Sequence, residues 1–121
     1  MGFFFDTYAM VELIKQNPAY ARFSGEEAHT TVMNVAEFYH YTLTRHIDSQ
    51  KADYWIKRLS QTALLIDLGT AVAAAKMRYE HRGKNISLVD CIGYVLAGKL
   101  GHRFLTGNPA FRNMPNVEFV P

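Results

Sequence analysis

Asp6 closes the wholly apolar run Phe3-Phe4-Phe5, Glu37 stands near the start of an amphipathic segment in Asn34-Val35-Ala36-Glu37, and Asp90 lies three residues past Ser87 at the start of another. Each can do chemistry as a carboxylate. A lone acid at the end of an all-Phe strand is costly if it is buried without a partner, so Asp6 asks for a reason beyond packing. Carboxylates gathered in one cleft repel each other, and such an arrangement persists where a hard divalent cation with oxygen ligands, Mg²⁺ or Mn²⁺, neutralises them. Taken singly, Asn34-x-x-Glu37 and Ser87-x-x-Asp90 also read as helix-capping boxes, with Asn34 and Ser87 as the caps. Only their conjunction with Asp6 points to a site. Asp67, beside Gly69 and Thr70, reads as a helix cap and stays outside it.

The elements that would position these acids alternate. Phe3–Phe5 is short and apolar throughout, as expected of a parallel strand covered on both faces. Tyr8 to Gln16 carries apolar residues at helical spacing, and Asn17-Pro18 ends it. His29 to Met33, rich in β-branched residues, predicts a second strand, and a long helix is predicted from an Asn34 cap toward Ile47. Ala52 to Ala63 predicts an amphipathic helix and Leu64 to Ile66 a third strand. Thr70 to His81 and Ser87 to Gly101 predict two successive helices broken at Arg82-Gly83-Lys84-Asn85. Gly93, Gly98 and Gly101 in the second of them are costly for a helix and predict close packing against a neighbour. Arg103 to Thr106 and Val117 to Val120 complete the extended segments. Strands alternating with helices predict an α/β sandwich with a mostly parallel central sheet flanked by helices, a fold in which ligands bind beyond the carboxyl ends of the strands.

The bulk properties set bounds on this reading. A chain of 121 residues, 49% apolar, supports one hydrophobic core, so residues 1–121 read as a single domain, and 20% charged residues with a net charge of +2 exclude a disordered, self-repelling chain. That small positive charge permits a nucleic-acid partner without arguing for one. The single cysteine, Cys91, cannot make an internal disulfide and reads as a small buried residue. No basic leader precedes the first strand and no stretch approaches the length of a membrane span, so a cytoplasmic protein without membrane contact is expected. The histidines at 29, 40, 46, 81 and 102 lack the paired spacing of a zinc site, and no Gly-x-Gly-x-x-Gly follows a strand.

In these motifs the chain resembles the PIN-domain nuclease family, and within it the toxin ribonucleases of VapBC-type toxin–antitoxin pairs. The family hallmark, a hydrophobic strand ending in Asp-Thr or Asp-Ser, is matched by Phe3-Phe4-Phe5-Asp6-Thr7; its second element is similar to Val32-Met33-Asn34-Val35-Ala36-Glu37-Phe38-Tyr39, and its third to Ile86-Ser87-Leu88-Val89-Asp90-Cys91-Ile92-Gly93. The fourth, a strand followed by Thr-x-Asp and an aromatic, corresponds to Phe104-Leu105-Thr106-Gly107-Asn108-Pro109-Ala110-Phe111, with Asn108 in place of the usual aspartate. The resemblance spans almost the whole chain. It implies a PIN-like three-layer sandwich and metal-dependent hydrolysis of RNA phosphodiester bonds, with Asp6, Glu37 and Asp90 as catalytic metal ligands and Asn108 as a further oxygen ligand of reduced charge. Thr7, Asn34 and Thr106 would orient those ligands by hydrogen bonds. Arg82 and Lys84, on the loop before the Asp90 helix, are candidates for an RNA phosphate, with a solvated loop as the plain alternative. The resemblance further implies a cognate antitoxin and a homodimer.

Two other readings compete. A PIN-like scaffold that binds RNA or protein without cleaving is motivated by Asn108. A phospho-receiver domain shares the alternating pattern and an acid after its first strand, but it expects an adjacent acidic pair and a late lysine, whereas Thr7 follows Asp6 and no lysine follows Phe104-Leu105-Thr106.

Overall fold

The computed structural model describes residues 2–121. Five strands, β1 (Phe3–Phe5), β2 (Ala28–Thr31), β3 (Ala63–Leu64), β4 (Arg103–Thr106) and β5 (Val117–Phe119), form one sheet in the order β3-β2-β1-β4-β5. Every pairing is parallel, with Phe3 opposite both Ala28 and Arg103, and Phe104 opposite Val117. The helices are α1 (Thr7–Ile14), α2 (Val32–Thr44), α3 (Ser49–Leu59), α4 (Leu68–Glu80) and α5 (Leu88–Leu100), with 3₁₀ segments at Pro18–Phe23 and Pro109–Phe111.

The pleat divides the apolar run of β1 between two cores. Phe5 and Leu105 face one side, where they pack with Met10 and Leu13 of α1, Phe38 of α2 and Leu59 of α3. Phe4 and Phe104 face the other, against Ala74 and Met77 of α4 and Cys91, Ile92 and Leu96 of α5. A central strand covered on both faces has no use for a polar residue until it ends, which is why β1 reads Phe-Phe-Phe and then Asp. This is the three-layer α/β architecture expected from the sequence, with the sheet wholly rather than mostly parallel. Gly93 permits the approach of α5 to the sheet: a Cβ there would lie 2.8 Å from the Phe4 ring and 3.2 Å from that of Phe104. The same packing role does not extend to Gly98, which has open space around it, or to Gly101, which ends α5 in the left-handed conformation at φ 73°.

The strand order also fixes where a site can form. The chain leaves β1 toward β2 and β3 on one side and returns through α4 and α5 to β4 on the other. Beyond the carboxyl ends of β1 and β4 the connections part, and this is where open α/β sheets leave a crevice. No helix among the described residues is long and apolar enough to cross a membrane.

Candidate acidic site at the parting of β1 and β4

Asp6 stands in that crevice, immediately after β1. It is almost wholly buried, and it caps α1: its Oδ1 accepts the Ala9 N–H at 2.8 Å. The Thr106 side chain, at the carboxyl end of β4, hydrogen-bonds the same carboxyl. Burial pushes the Asp6 pKa up from 3.8 to about 7, against the pull of these two hydrogen bonds, and the charges of Asp90 and Glu37 push it in the same direction as burial. A buried arginine could have neutralised such a carboxylate, but none is among the groups acting on it. The charged groups that act on it are two more acids, Asp90 and Glu37.

Glu37 is reached through Thr7. The Thr7 hydroxyl donates to Glu37 Oε1 at 2.6 Å and accepts from Asn34 Nδ2 at 3.1 Å. Asn34 is fully buried, and its Oδ1 accepts from the Thr31 hydroxyl, whose oxygen in turn receives the Asn34 N–H at 3.2 Å. The cap of α2 is therefore Thr31, and the helix begins two residues before Asn34. The expected Asn34 cap is corrected by this geometry: β2 ends at Thr31, whose extended backbone and hydroxyl take the capping role, leaving Asn34 inside the first turn to brace Thr7. With Asn34 inside the helix, Glu37 does not close a capping box, and its carboxylate lies exposed at the surface.

Asp90 does close one. Ser87 caps α5 by accepting the Asp90 N–H at 3.0 Å, and Asp90 Oδ2 receives the Ser87 N–H at 2.8 Å. The helical role and proximity to Asp6 coexist in this residue. Cys91 beside it is fully buried, and burial with the charge of Asp90 pushes its thiol up to about 11, far from a nucleophile's range.

Asn108 caps the second 3₁₀ segment: Oδ1 accepts from Ala110 N at 3.0 Å, Nδ2 donates to the Asn85 carbonyl at 3.2 Å, and its own N–H donates to Thr106 Oγ1 at 3.1 Å. The loop carrying Lys84 is thus tied to the turn after β4, and Lys84 itself is exposed. Arg82 is exposed as well, and its guanidinium donates to the Tyr79 carbonyl at 2.8 Å and lies 4.3 Å from the Tyr79 ring. Asp67 caps α4 through the Thr70 N–H at 2.7 Å, and the hydrogen bonds from Thr70 hold its pKa low.

The three acids thus sit at graded depths: Asp6 buried, Asp90 half-buried, Glu37 exposed. Among the described residues no three His, Cys, Asp or Glu side chains gather tightly enough to form a ready-made metal cage. In kind the donors fit a hard cation, all oxygen with no nitrogen or sulfur, and the mutual repulsion registered at Asp6 is the charge such a cation would relieve. Sequence reading missed Thr31, the residue beneath Asn34; its β-branched hydroxyl at a strand-to-helix junction was the signal that could have found it.

No protein-family model and no curated protein sequence matches the chain. Among solved structures, a chain described as a toxin–antitoxin complex from Klebsiella pneumoniae matches with a TM-score of 0.75 at 17% identity, over 98% of this chain and 96% of that one. At that identity the likeness is one of fold, end to end and without large insertions on either side.

Proposed function

We propose that the protein is a metal-dependent endoribonuclease that serves as the toxin of a VapBC-type toxin–antitoxin pair. The observation that carries this reading is the Asp6 carboxyl, buried at the parting of β1 and β4, held by Thr106 and the first turn of α1, and loaded with the charges of Asp90 and Glu37. Asp6, Glu37 and Asp90 would hold Mg²⁺ or Mn²⁺, with Asn108 as a fourth oxygen donor. Bound there, the cation would lower the pKa of a water and offset charge building on the phosphate. The chain's own groups do the rest. Thr7 and Thr106 fix the directions in which Glu37 and Asp6 present their oxygens. The positive dipole ends of α1 and α5, capped by Asp6 and Ser87, lie beside the acids, which favours a phosphate there. Lys84, exposed on the loop whose Asn85 carbonyl is held by Asn108, is the candidate cation for that phosphate.

The fold shared with a chain of a toxin–antitoxin complex supports the toxin role. A peptide partner is supported by a groove of about 840 Å³ between the end of α1, the Pro18–Phe23 segment and α3, with Leu13, Ile14, Tyr20 and Trp55 along it and Lys51 and Arg58 beside them.

A non-catalytic RNA- or protein-binding scaffold is favoured by one observation, the engagement of both Asn108 side-chain atoms in holding the chain's own loops. Incubating the purified protein with structured and single-stranded RNAs in Mg²⁺ or Mn²⁺ separates the two. Cleavage that disappears in EDTA and in Asp6→Asn supports the nuclease. No cleavage of any RNA, with no divalent-ion binding by calorimetry, would establish the scaffold.

A further inference from the structure

Tyr8 follows Asp6 and Thr7 in the first turn of α1, packs against the turn that follows Thr106, and takes part in none of the hydrogen bonds that hold the acids. The residue is 37% exposed, yet its ring is closely seated. A Cβ at Gly107 would fall 2.2 Å from one ring carbon and 2.5 Å from the next, so the turn after β4 accommodates this ring only because residue 107 is glycine. The same Cβ would meet the Val120 carbonyl at 2.5 Å, which places the ring over the ends of β4 and β5. The Tyr20 ring lies 6.4 Å away, centroid to centroid, on the buried side. A large aromatic side chain is thereby held in one place while the residue stays partly exposed to water.

At the end of β5, the strand paired with β4, the exposed Arg112 sits with its guanidinium 5.1 Å from the centroid of the Phe119 ring. A seated aromatic ring next to a carboxylate cleft, followed by a guanidinium, has the composition of a single-stranded nucleic-acid track, in which bases stack on rings and cations follow the phosphates. A duplex offers no free base face to such a ring.

We propose that Tyr8 is the stacking platform for a base of single-stranded RNA adjoining the phosphate at the acidic cleft, and that Arg112 takes a phosphate further along the same strand. This rests on the nuclease reading and adds to it the form of the substrate and the direction in which it leaves the cleft, over β4 and β5. Tyr8 acts by its ring face alone, so its hydroxyl is dispensable.

The test is fluorescence anisotropy with a fluorescein-labelled single-stranded RNA octamer, on the Asp6→Asn protein, which leaves the probe intact. Relative to that parent, adding Tyr8→Ala is expected to weaken binding on the order of tenfold, the usual effect of one stacked base, while Tyr8→Phe stays within about twofold. Tyr8→Leu, which keeps bulk against Gly107 without a flat ring, is expected to lose binding like Tyr8→Ala; thermal melting establishes that each variant is folded. Tyr54→Ala, another exposed aromatic beside the α1–α3 groove, leaves binding unchanged. Arg112→Ala is expected to reduce the salt slope of binding by about one. Folded Tyr8→Ala and Tyr8→Leu proteins that bind as tightly as the parent would overturn the platform and leave the nuclease reading standing. A parent that binds no RNA at all, single-stranded or duplex, would overturn both.

Discussion

Asp6 is kept at a cost to stability, and that cost has a sign. Its folded carboxyl holds a proton up to about pH 7, whereas the unfolded chain releases it near 3.8, so folding takes up a proton between those values. In the metal-free protein this contribution is greatest at low pH and falls as pH rises through the interval to a plateau above 7. Asp6→Asn keeps a good helix cap and removes the buried charge, so at pH 8 in EDTA it should melt higher than the wild type, by roughly 5 °C or more, with the difference shrinking toward pH 5. Differential scanning calorimetry across that range reads it directly, and equal melting at pH 8 would mean that the buried Asp6 carboxylate costs the fold nothing. Added Mg²⁺ should raise the wild-type melting temperature at pH 8 and leave Asp6→Asn unmoved. Asn108→Asp works in the opposite direction. It removes the donor to the Asn85 carbonyl and puts an acceptor against it, at about 1 kcal/mol in EDTA. It also supplies a fourth negative oxygen donor, so Mn²⁺ should bind more tightly by calorimetry; unchanged affinity would exclude position 108 from the cation's surroundings.

At the level of elements, closeness between α5 and the sheet depends on one missing methyl group. Gly93→Ala must displace the Phe4 ring, and Phe4 is fixed in turn by Phe104, whose ring centroid lies 6.0 Å away. Relief by sliding α5 outward would carry Asp90 with it. The expected loss is about 1–3 kcal/mol in urea unfolding, more than the helix-propensity gain of replacing glycine, and a neutral or stabilised variant would refute the close approach. This packing was legible in the sequence because glycine destabilises a helix interior and is tolerated there chiefly where a neighbour comes too close for a side chain. Gly98 shows that composition alone does not say which glycine carries the contact. The α/β order and the strand-end placement of Asp6 were legible for a similar reason: an uninterrupted Phe run admits few environments. The α2 boundary was not. Thr31 and Asn34 are both competent caps three residues apart, and the choice is made by where β2 stops pairing with β3, a tertiary fact. Likewise the burial of Asn34 and its hold on Thr7 depend on β1 and β2 being neighbours, and the engagement of Asn108 with Asn85 on two loops meeting at one end of the sheet.

On the scale of the whole molecule, α4 is apolar on two faces. Thr70, Ala74 and Met77 are buried toward α5 and the sheet, while Leu68, Val72, Ala75 and Tyr79 form an outward row at spacings of four, three and four, continued by Leu65. Leu65 and Leu68 are 82% and 80% exposed, far more than a large aliphatic side chain needs to be in a fold with two cores, and Tyr79 is 66% exposed. A second apolar row on a helix is normally covered as the first is, and a four-three spacing is the seam by which helices pair. A row of this kind suits a second copy of itself, because a two-fold axis across the middle of α4 brings the same residues together from both chains. Two apposed patches of the size common for an exposed apolar patch, roughly 300–600 Å² each, reach about 1,000 Å², the lower bound for a specific interface. The protein should therefore sediment as a dimer at tens of micromolar or above, and Leu68→Lys with Tyr79→Lys should sediment as a monomer. Both replaced side chains point away from the cores, so the double variant should retain its fold and any stabilisation by Mg²⁺ through Asp6. A wild-type protein that remains monomeric across that concentration range would leave the outer face of α4 without its second copy.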